Sequence, residues 1–287
     1  MGVGAKAADA QPIRMGEIRN RERHLQLLEE EMKVALCLSG FVGNVGKWIQ
    51  GEEIDPNEGF AYINDTVLSH GDVDVFIHSY STNHESLLNE LYSPKKATFE
   101  ENKDFKLNGV SKEELSRPYS FCVKSMWYSR KKAVELKTQY EEENNFKYDF
   151  VFLTRFDWAF FKKFNFNEYD TSKVYVAGPI LQAPSRDNPL FAEPHKINDG
   201  YFLSNSDNMN KIVEVFDTYD GIATGLDPKW PHESVSSHII ITEHIKLCRL
   251  HSKLTALHER PWQSSNIWAG DMRFLRAKPN IKTIKKT

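Results

Sequence analysis

Cysteine is scarce in this chain of 287 residues: Cys37, Cys122 and Cys248 stand far apart, with no CxxC pair and no Cys/His zinc spacing. An odd, scattered set excludes a disulfide framework and a structural zinc as organising devices, and it fits a reducing compartment. Long apolar runs are also missing, since none approaches the roughly 18 residues of a membrane span. The first 32 residues hold no apolar h-region, so no signal peptide is expected. Lys6 stands where a myristoylation signal needs Ser or Thr. Nor is there an excess of either charge: 37 Lys and Arg against 40 Asp and Glu leave a formal charge of -3. That balance argues against a nucleic-acid binder, which carries a strongly basic footprint. Gly40, Gly43 and Gly46 fit neither a Walker loop nor GxGxxG, and no internal repeat is present. A soluble, cytoplasmic protein with no membrane span and no nucleic-acid partner is expected.

Large side chains are what the sequence has in quantity. Aromatic residues make up 12%, with 18 Phe, 11 Tyr and 6 Trp within a hydrophobic total of 40%. Such a supply can bury a sizeable core and excludes wholesale disorder. The length allows one or two domains. No composition break falls between residues 33 and 265, so one domain is expected there. Residues 1–14 read as a disordered lead-in or an expression remnant, and residues 15–32 as an exposed helix rich in Glu and Arg. From residue 266 the chain becomes a basic tail with Arg273, Arg276, Lys278, Lys282, Lys285 and Lys286.

Within 33–265, short apolar runs alternate with helical patterns. Strands are expected at 33–38, 74–80, 148–154 and 174–177, a turn plus strand at 198–204, and helices at 58–70, 84–91, 119–144, 206–219 and 231–248. Segment 81–118 outside its short helix reads as charged and irregular. The long helix shows Phe121, Ser125, Tyr128, Lys132 and Leu136 at steps of three or four, and Asn144-Asn145 stops it. Ser206 or Asn208 is the expected N-cap of the following helix. Alternation of this kind predicts an α/β fold with a mixed, mostly parallel, Rossmann-like central sheet flanked by helices.

Ligands of open α/β sheets sit at the carboxyl ends of the strands. That rule selects Ser39-Gly40, His78-Ser79-Tyr80, Arg155-Phe156-Asp157 and Asp199-Gly200. Arg155 and Asp157, at i and i+2 of an extended segment, share one side. Together they could neutralise a diphosphate, the aspartate through a divalent cation and the arginine through a bidentate contact. The alternative is an ion pair that ends the strand. His78 reads more simply as a hydrogen-bonded structural histidine, and Asp72 and Asp74 as caps of the strand entry. Glu233 sits in the first turn of a helix, which favours a carboxylate there. His251 and His258 read as surface residues, and Trp158, Trp230 and Trp262 as core rings.

The segments KVALCLSG (residues 33–40), DVFIHS (74–79), YDFVFLTRFD (148–157), DGYFLSN (199–205) with Met209, and PHES (231–234) follow one another in this order. The order resembles that of GT-A type sugar-nucleotide glycosyltransferases of bacterial surface-polysaccharide clusters and of large algal viruses such as chloroviruses. The resemblance covers roughly residues 33 to 250, and YDFVFLTRFD is its most specific part. It implies a GT-A fold and a Mn²⁺ or Mg²⁺ ion bridging the enzyme and a nucleotide-sugar donor. If the chain is viral, the host cytoplasm is the expected location. Arg155-Phe156-Asp157 stands in place of a DxD motif, which makes Asp157 the metal ligand. Phe41 and Val42 follow Ser39-Gly40 where related proteins often carry an arginine.

On that resemblance, Leu38, Ser39, Gly40 and Tyr80 would hold the nucleoside, with Arg155 on the diphosphate. Glu233, or failing it Asp199, would deprotonate a glycan hydroxyl. The expected enzyme is a hexosyl- or pentosyltransferase using a UDP-linked donor such as UDP-xylose and an oligosaccharide or glycoprotein acceptor, with inversion. Asp157→Ala would then abolish metal-supported turnover and leave the fold intact. A metal-dependent phosphohydrolase or nuclease is one alternative, though two-metal sites need several clustered acids. A non-catalytic carbohydrate-binding protein of the same fold is the other.

Overall fold

The computed structural model describes residues 32–43, 53–103, 105, 119–177, 179–180, 196–225, 237–257, 268–269 and 272–275. Contacts divide the chain into Met1–Met32 and Lys33–Thr287, and the described strands and helices belong to the second unit.

Val34–Gly40 (β1) and Phe150–Arg155 (β4) are the two clearest apolar runs, and from Val34 to Leu38 and Phe150 to Leu153 they have no exposed surface. Strands covered on both faces belong at the centre of a sheet. These two lie side by side in parallel, with Ser39 opposite Arg155. Val73–Ser79 (β2) flanks β1 on its other side, with Ser39 opposite His78, and Lys96–Phe99 (β3) follows. Beyond β4 come Phe202–Ser204 (β9), Val174–Val176 (β6) and Leu254–Ala256 (β10). The seven-stranded order is β10-β6-β9-β4-β1-β2-β3. Only β9 runs against its neighbours β4 and β6 among the described pairings of this sheet. The mixed, mostly parallel α/β sheet expected from the alternation is therefore present.

Pro56–Thr66 (α1) joins β1 to β2, Glu85–Tyr92 (α2) joins β2 to β3, and Tyr119–Asn144 (α3) lies between β3 and β4. The chain moves outward from β1 to β3 and then returns past β1 to β4. Strand order reverses between β1 and β4, which is a topological switch point. α1 starts where the Asp55 side chain accepts from the Asn57 backbone N–H at 2.9 Å, with Pro56 in the first turn. α3 ends where predicted, because Asn145 takes a left-handed φ of 54° and the Phe146 N–H turns back to the Glu141 carbonyl at 3.1 Å.

The buried surface of α3 is wider than one stripe. Val123, Trp127, Arg130, Val134, Lys137 and Glu141 are buried along with Ser125 and Tyr128, whereas Lys132 and Leu136 are half-buried. The cause is packing on two sides, against β1 and β2 and against Ser206–Val213 (α4) and Val215–Gly225 (α5). The single helix expected at 206–219 is thus two, separated at Glu214, and its N-cap is Asn205 rather than Ser206 or Asn208. The Asn205 side chain accepts from the Asn208 N–H at 2.9 Å. The helix expected from residue 231 is described from Ser237, as Ser237–Leu247 (α6). The helix expected at 15–32 lies outside the described residues.

Alternation along β4 sends Val151 and Leu153 into the core beneath α3 and α6, and Phe150 and Phe152 to the opposite face. There Phe152 meets Phe164 at 4.7 Å and Tyr201 at 5.4 Å between ring centroids. Each such pair adds about 0.5–1.5 kcal/mol beyond its buried area. Past Arg155 the chain leaves the large sheet through Phe156-Asp157 and enters Trp158–Phe160 (β5). β5 pairs with Met272–Phe274 (β12), which pairs with Trp268–Ala269 (β11). Part of the region read as a basic tail is therefore a sheet partner of the segment after β4. Pro179–Ile180 (β7) and Lys196–Ile197 (β8) form a small antiparallel pair. No described helix is long and apolar enough to cross a membrane.

Candidate functional site

The switch point sets the carboxyl ends of β1 and β4 beside each other. Ser39 is buried and its hydroxyl donates to the Thr154 carbonyl at 3.2 Å, which ties the two strand ends together. Gly40 has a φ of 103°, which favours glycine, and a Cβ built on it would meet nothing within 4 Å. The backbone here thus borders open space. Leu38, by contrast, is wholly within the core. Tyr80 is buried, its hydroxyl donates to the Ser125 carbonyl at 2.8 Å, and its ring packs on Phe41 at 4.9 Å. Of the four residues expected at the nucleoside, Gly40 alone pairs a described backbone position with open space.

Behind Gly40 lies a buried network from α3. The Gly40 N–H donates to the Ser129 hydroxyl at 2.9 Å, and Ser129 also faces His78 Nδ1 at 2.8 Å. His78 Nε2 meets Glu100 Oε1 at 3.0 Å. Burial lowers the His78 pKa and so favours the neutral ring. Burial would raise Glu100, but hydrogen bonds from Lys103, His78 and Tyr128 hold it down at about 2. His78 therefore behaves as the structural histidine of the simpler reading. Asp74 likewise ends at the strand entry, bound by the Tyr148 hydroxyl at 2.6 Å and Lys95 at 3.3 Å. Asp72 and His251 are exposed.

At the end of β4, Arg155 and Asp157 do share one side. Arg155 Nε donates to Asp157 Oδ1 at 2.9 Å and Nη2 to Oδ2 at 3.2 Å, while Nη1 faces Met126 Sδ at 3.4 Å. The Asp157 side chain is 0% exposed and that of Arg155 18%. Both carboxylate oxygens already accept from the guanidinium, whose charge stands where a cation would. Those surroundings fit the ion pair and do not fit a resident divalent ion. Among the described residues no three His, Cys, Asp or Glu side chains gather as a ligand set.

A second carboxylate joins this pair. Asn198 Oδ1 accepts from the Gly200 N–H at 2.8 Å and shapes the turn that carries Asp199 to the start of β9, next to the end of β4. Gly200 is needed for close approach, because a Cβ there would stand 3.0 Å from the Trp158 ring. Trp158 is buried, as a core ring. Burial would raise the Asp199 pKa, yet His238, Arg130, Arg155 and a hydrogen bond from Ser237 hold it at about 2.

Arg130, from the middle of α3, is wholly buried and stacks on Trp127 with its guanidinium 4.6 Å from the ring. Its Nη2 donates to the Asp199 carbonyl. Burial brings its pKa down to about 10, with Asp199 and Asp157 opposing and Arg155 adding to the fall. From α6, His238 sets Nδ1 3.4 Å from Asp199 Oδ1, and the Ser237 hydroxyl accepts from Trp127 Nε1 at 3.1 Å.

The structure thus brings Arg155, Asp157 and Asp199 together and adds Arg130, His238 and Ser237, which strand-end reasoning did not reach. A signal for Arg130 was present: it lies one turn from Trp127 and from Ala133 and Val134, a charge within a stripe of core residues. Glu233, Trp230, Trp262, His258 and Gly46 lie outside the described residues. No family model matches the chain, and no curated protein matches it.

Proposed function

We propose that the chain is a glycosyltransferase of GT-A type that moves a sugar from a nucleotide-linked donor, with UDP favoured, to a hydroxyl of a glycan. The observation that carries this reading is the reversal of strand order between β1 and β4. At that crevice an open-sided glycine backbone stands beside the end of β4, where Arg155 and Asp157 lie close to Asp199 from the turn before β9 and Arg130 from α3. Nucleotides bind at such reversals. In this reading the nucleoside lies along Ser39 and Gly40, and the diphosphate approaches Arg155. Arg155 is already held in plane by Asp157, so little reorganisation is needed when charge develops on the leaving group. The acceptor hydroxyl comes from the side of Asp199 and of the helix that Glu233 precedes. The order of the sequence segments quoted above is the second support.

The test is a thermal-shift screen of nucleotide sugars, each with and without Mn²⁺. A donor at one hundred times its Kd adds about 2.7 kcal/mol. For a domain of this size that is a rise of several degrees. One family of nucleotide sugars should stand out, and its incubation with glycan acceptors should release the free nucleoside diphosphate. A chain that no nucleotide or nucleotide sugar stabilises is not this enzyme. Binding of glycans alone would point to the non-catalytic alternative, and release of inorganic phosphate to the phosphohydrolase.

A further inference from the structure

We propose that Arg130 is the buried anchor of an oxyanion site, where its Nε and Nη1 take oxygens of a diphosphate; that this diphosphate belongs to a sugar donor rests on the transferase reading. Arg130 has no exposed surface, and neither Nε nor Nη1 has a hydrogen-bond partner. Nη2 is engaged, donating to the Asp199 carbonyl. Buried donors of a charged group are among the costliest to leave unpaired, so their presence calls for an acceptor that arrives from outside the fold. The nearby carboxylates are committed elsewhere. Asp157 takes Nε and Nη2 of Arg155 on its two oxygens. Asp199 has His238 Nδ1 3.4 Å from Oδ1 and a hydrogen bond from Ser237. Nε and Nη1 donate from different edges of the guanidinium plane. A ligand with oxygens on two centres therefore meets them better than a single carboxylate or phosphate does.

The surroundings strengthen such a contact. The guanidinium lies 4.6 Å from the Trp127 ring and 5.9 Å from that of Phe202. Trp127 is itself fixed, because its Nε1 donates to the Ser237 hydroxyl at 3.1 Å. Rings on the guanidinium keep water away, and the attraction between a cation and an anion grows as the local dielectric falls. Burial lowers the Arg130 pKa only to about 10, so the charge is present at neutral pH. Arg155, whose side chain is 18% exposed, stands on the solvent side and is near enough for its charge to act on Arg130. Two guanidiniums so placed repel each other, and an anion beside both replaces that repulsion with two attractions. Stacking and one hydrogen bond hold Arg130 among the described residues. It can thus turn towards a diphosphate that enters past Arg155 without breaking an ion pair.

The experiment uses the full chain with inorganic pyrophosphate, inorganic phosphate and UDP as probes. In wild type labelled with ¹⁵N and ¹³C at arginine, the Arg130 Nε–H resonance should move on titration with pyrophosphate or UDP. Phosphate, with one centre, should move it less at the same concentration. Arg130→Met keeps an unbranched chain against Trp127 and should lose the thermal shift that pyrophosphate gives. Arg130→Lys keeps a charge without the spread of donors and should weaken pyrophosphate binding by about 10- to 100-fold, the worth of one charge-assisted hydrogen bond. A resonance that none of the three anions moves overturns the anchor, and this readout needs no variant to fold. A pyrophosphate-induced thermal shift that is equal in wild type and Arg130→Met overturns it as well. A larger effect of phosphate than of pyrophosphate overturns the assignment to a diphosphate. If nucleotide sugars stabilise wild type and Arg130→Met alike, the anchor falls and the transferase reading stands. If pyrophosphate moves the resonance while no nucleotide sugar binds, the anchor stands and the transferase reading falls.

Discussion

Arg155 grips Asp157 with two nitrogens, and the carboxylate it grips has no contact with water. Taking one partner from a pair buried to this degree typically costs 3–5 kcal/mol, since the remaining charge keeps its desolvation without its closest opposite charge. Asp157→Ala should therefore lower the unfolding free energy by about 3 kcal/mol, read in urea titration as a lower midpoint at an unchanged slope, in buffer with chelator as well as with Mn²⁺. An aspartate whose task is to bind a metal gives the opposite result, an intact fold without metal and a loss only of the metal's stabilisation. Strand-end logic found Arg155, Asp157 and Asp199 because a strand's direction fixes where its last residues face. It did not reach Arg130 or His238. Both stand on helices, and their position at the site depends on how α3 and α6 pack on the sheet, which no local pattern encodes.

At the scale of elements, ends were readable where a side chain or a backbone angle enforces them. Asn145 ends α3 in a left-handed conformation, and the expected boundary coincides with the observed one. β3 was not readable: Lys96-Ala97-Thr98-Phe99 is a short edge strand, half-buried at every position, and so shows neither an apolar run nor a clean alternation. The cap of α4 was misread by one to three residues because Asn205, Ser206 and Asn208 are all competent capping residues. Asn205 alone has the extended backbone, with ψ at 165°, that directs its side chain to the Asn208 N–H. Asn205→Ala should cost about 1 kcal/mol in a denaturant titration. The same change at Asp207, whose carboxylate lies at the surface beside Lys147, should cost a few tenths at most.

Over the whole molecule, acid sensitivity falls into two windows. His78 is enclosed by Ser129 and Glu100, with Lys103 and Lys132 near it and the rings of Tyr80 and Tyr128 at 5.2 and 5.7 Å. His244 lies between the Thr218 hydroxyl at 2.9 Å and the Lys211 carbonyl at 2.7 Å. Burial lowers the pKa of both from the ordinary 6.5. Below pH 6.5 the unfolded chain binds protons at these positions that the folded chain refuses, so stability is full above that pH and is lost as pH falls towards the lowered folded values. Asp199 and Glu100, held at about 2, remain ionised throughout that range and release their stabilisation only between about pH 4 and 2. The melting temperature should therefore decline first between pH 7 and 5 and again below pH 4. His78→Gln combined with His244→Gln should flatten the first decline and leave the second in place, whatever the pair of changes does to the melting temperature at pH 7. A slope between pH 7 and 5 that survives both substitutions would assign this sensitivity to groups other than the two buried imidazoles.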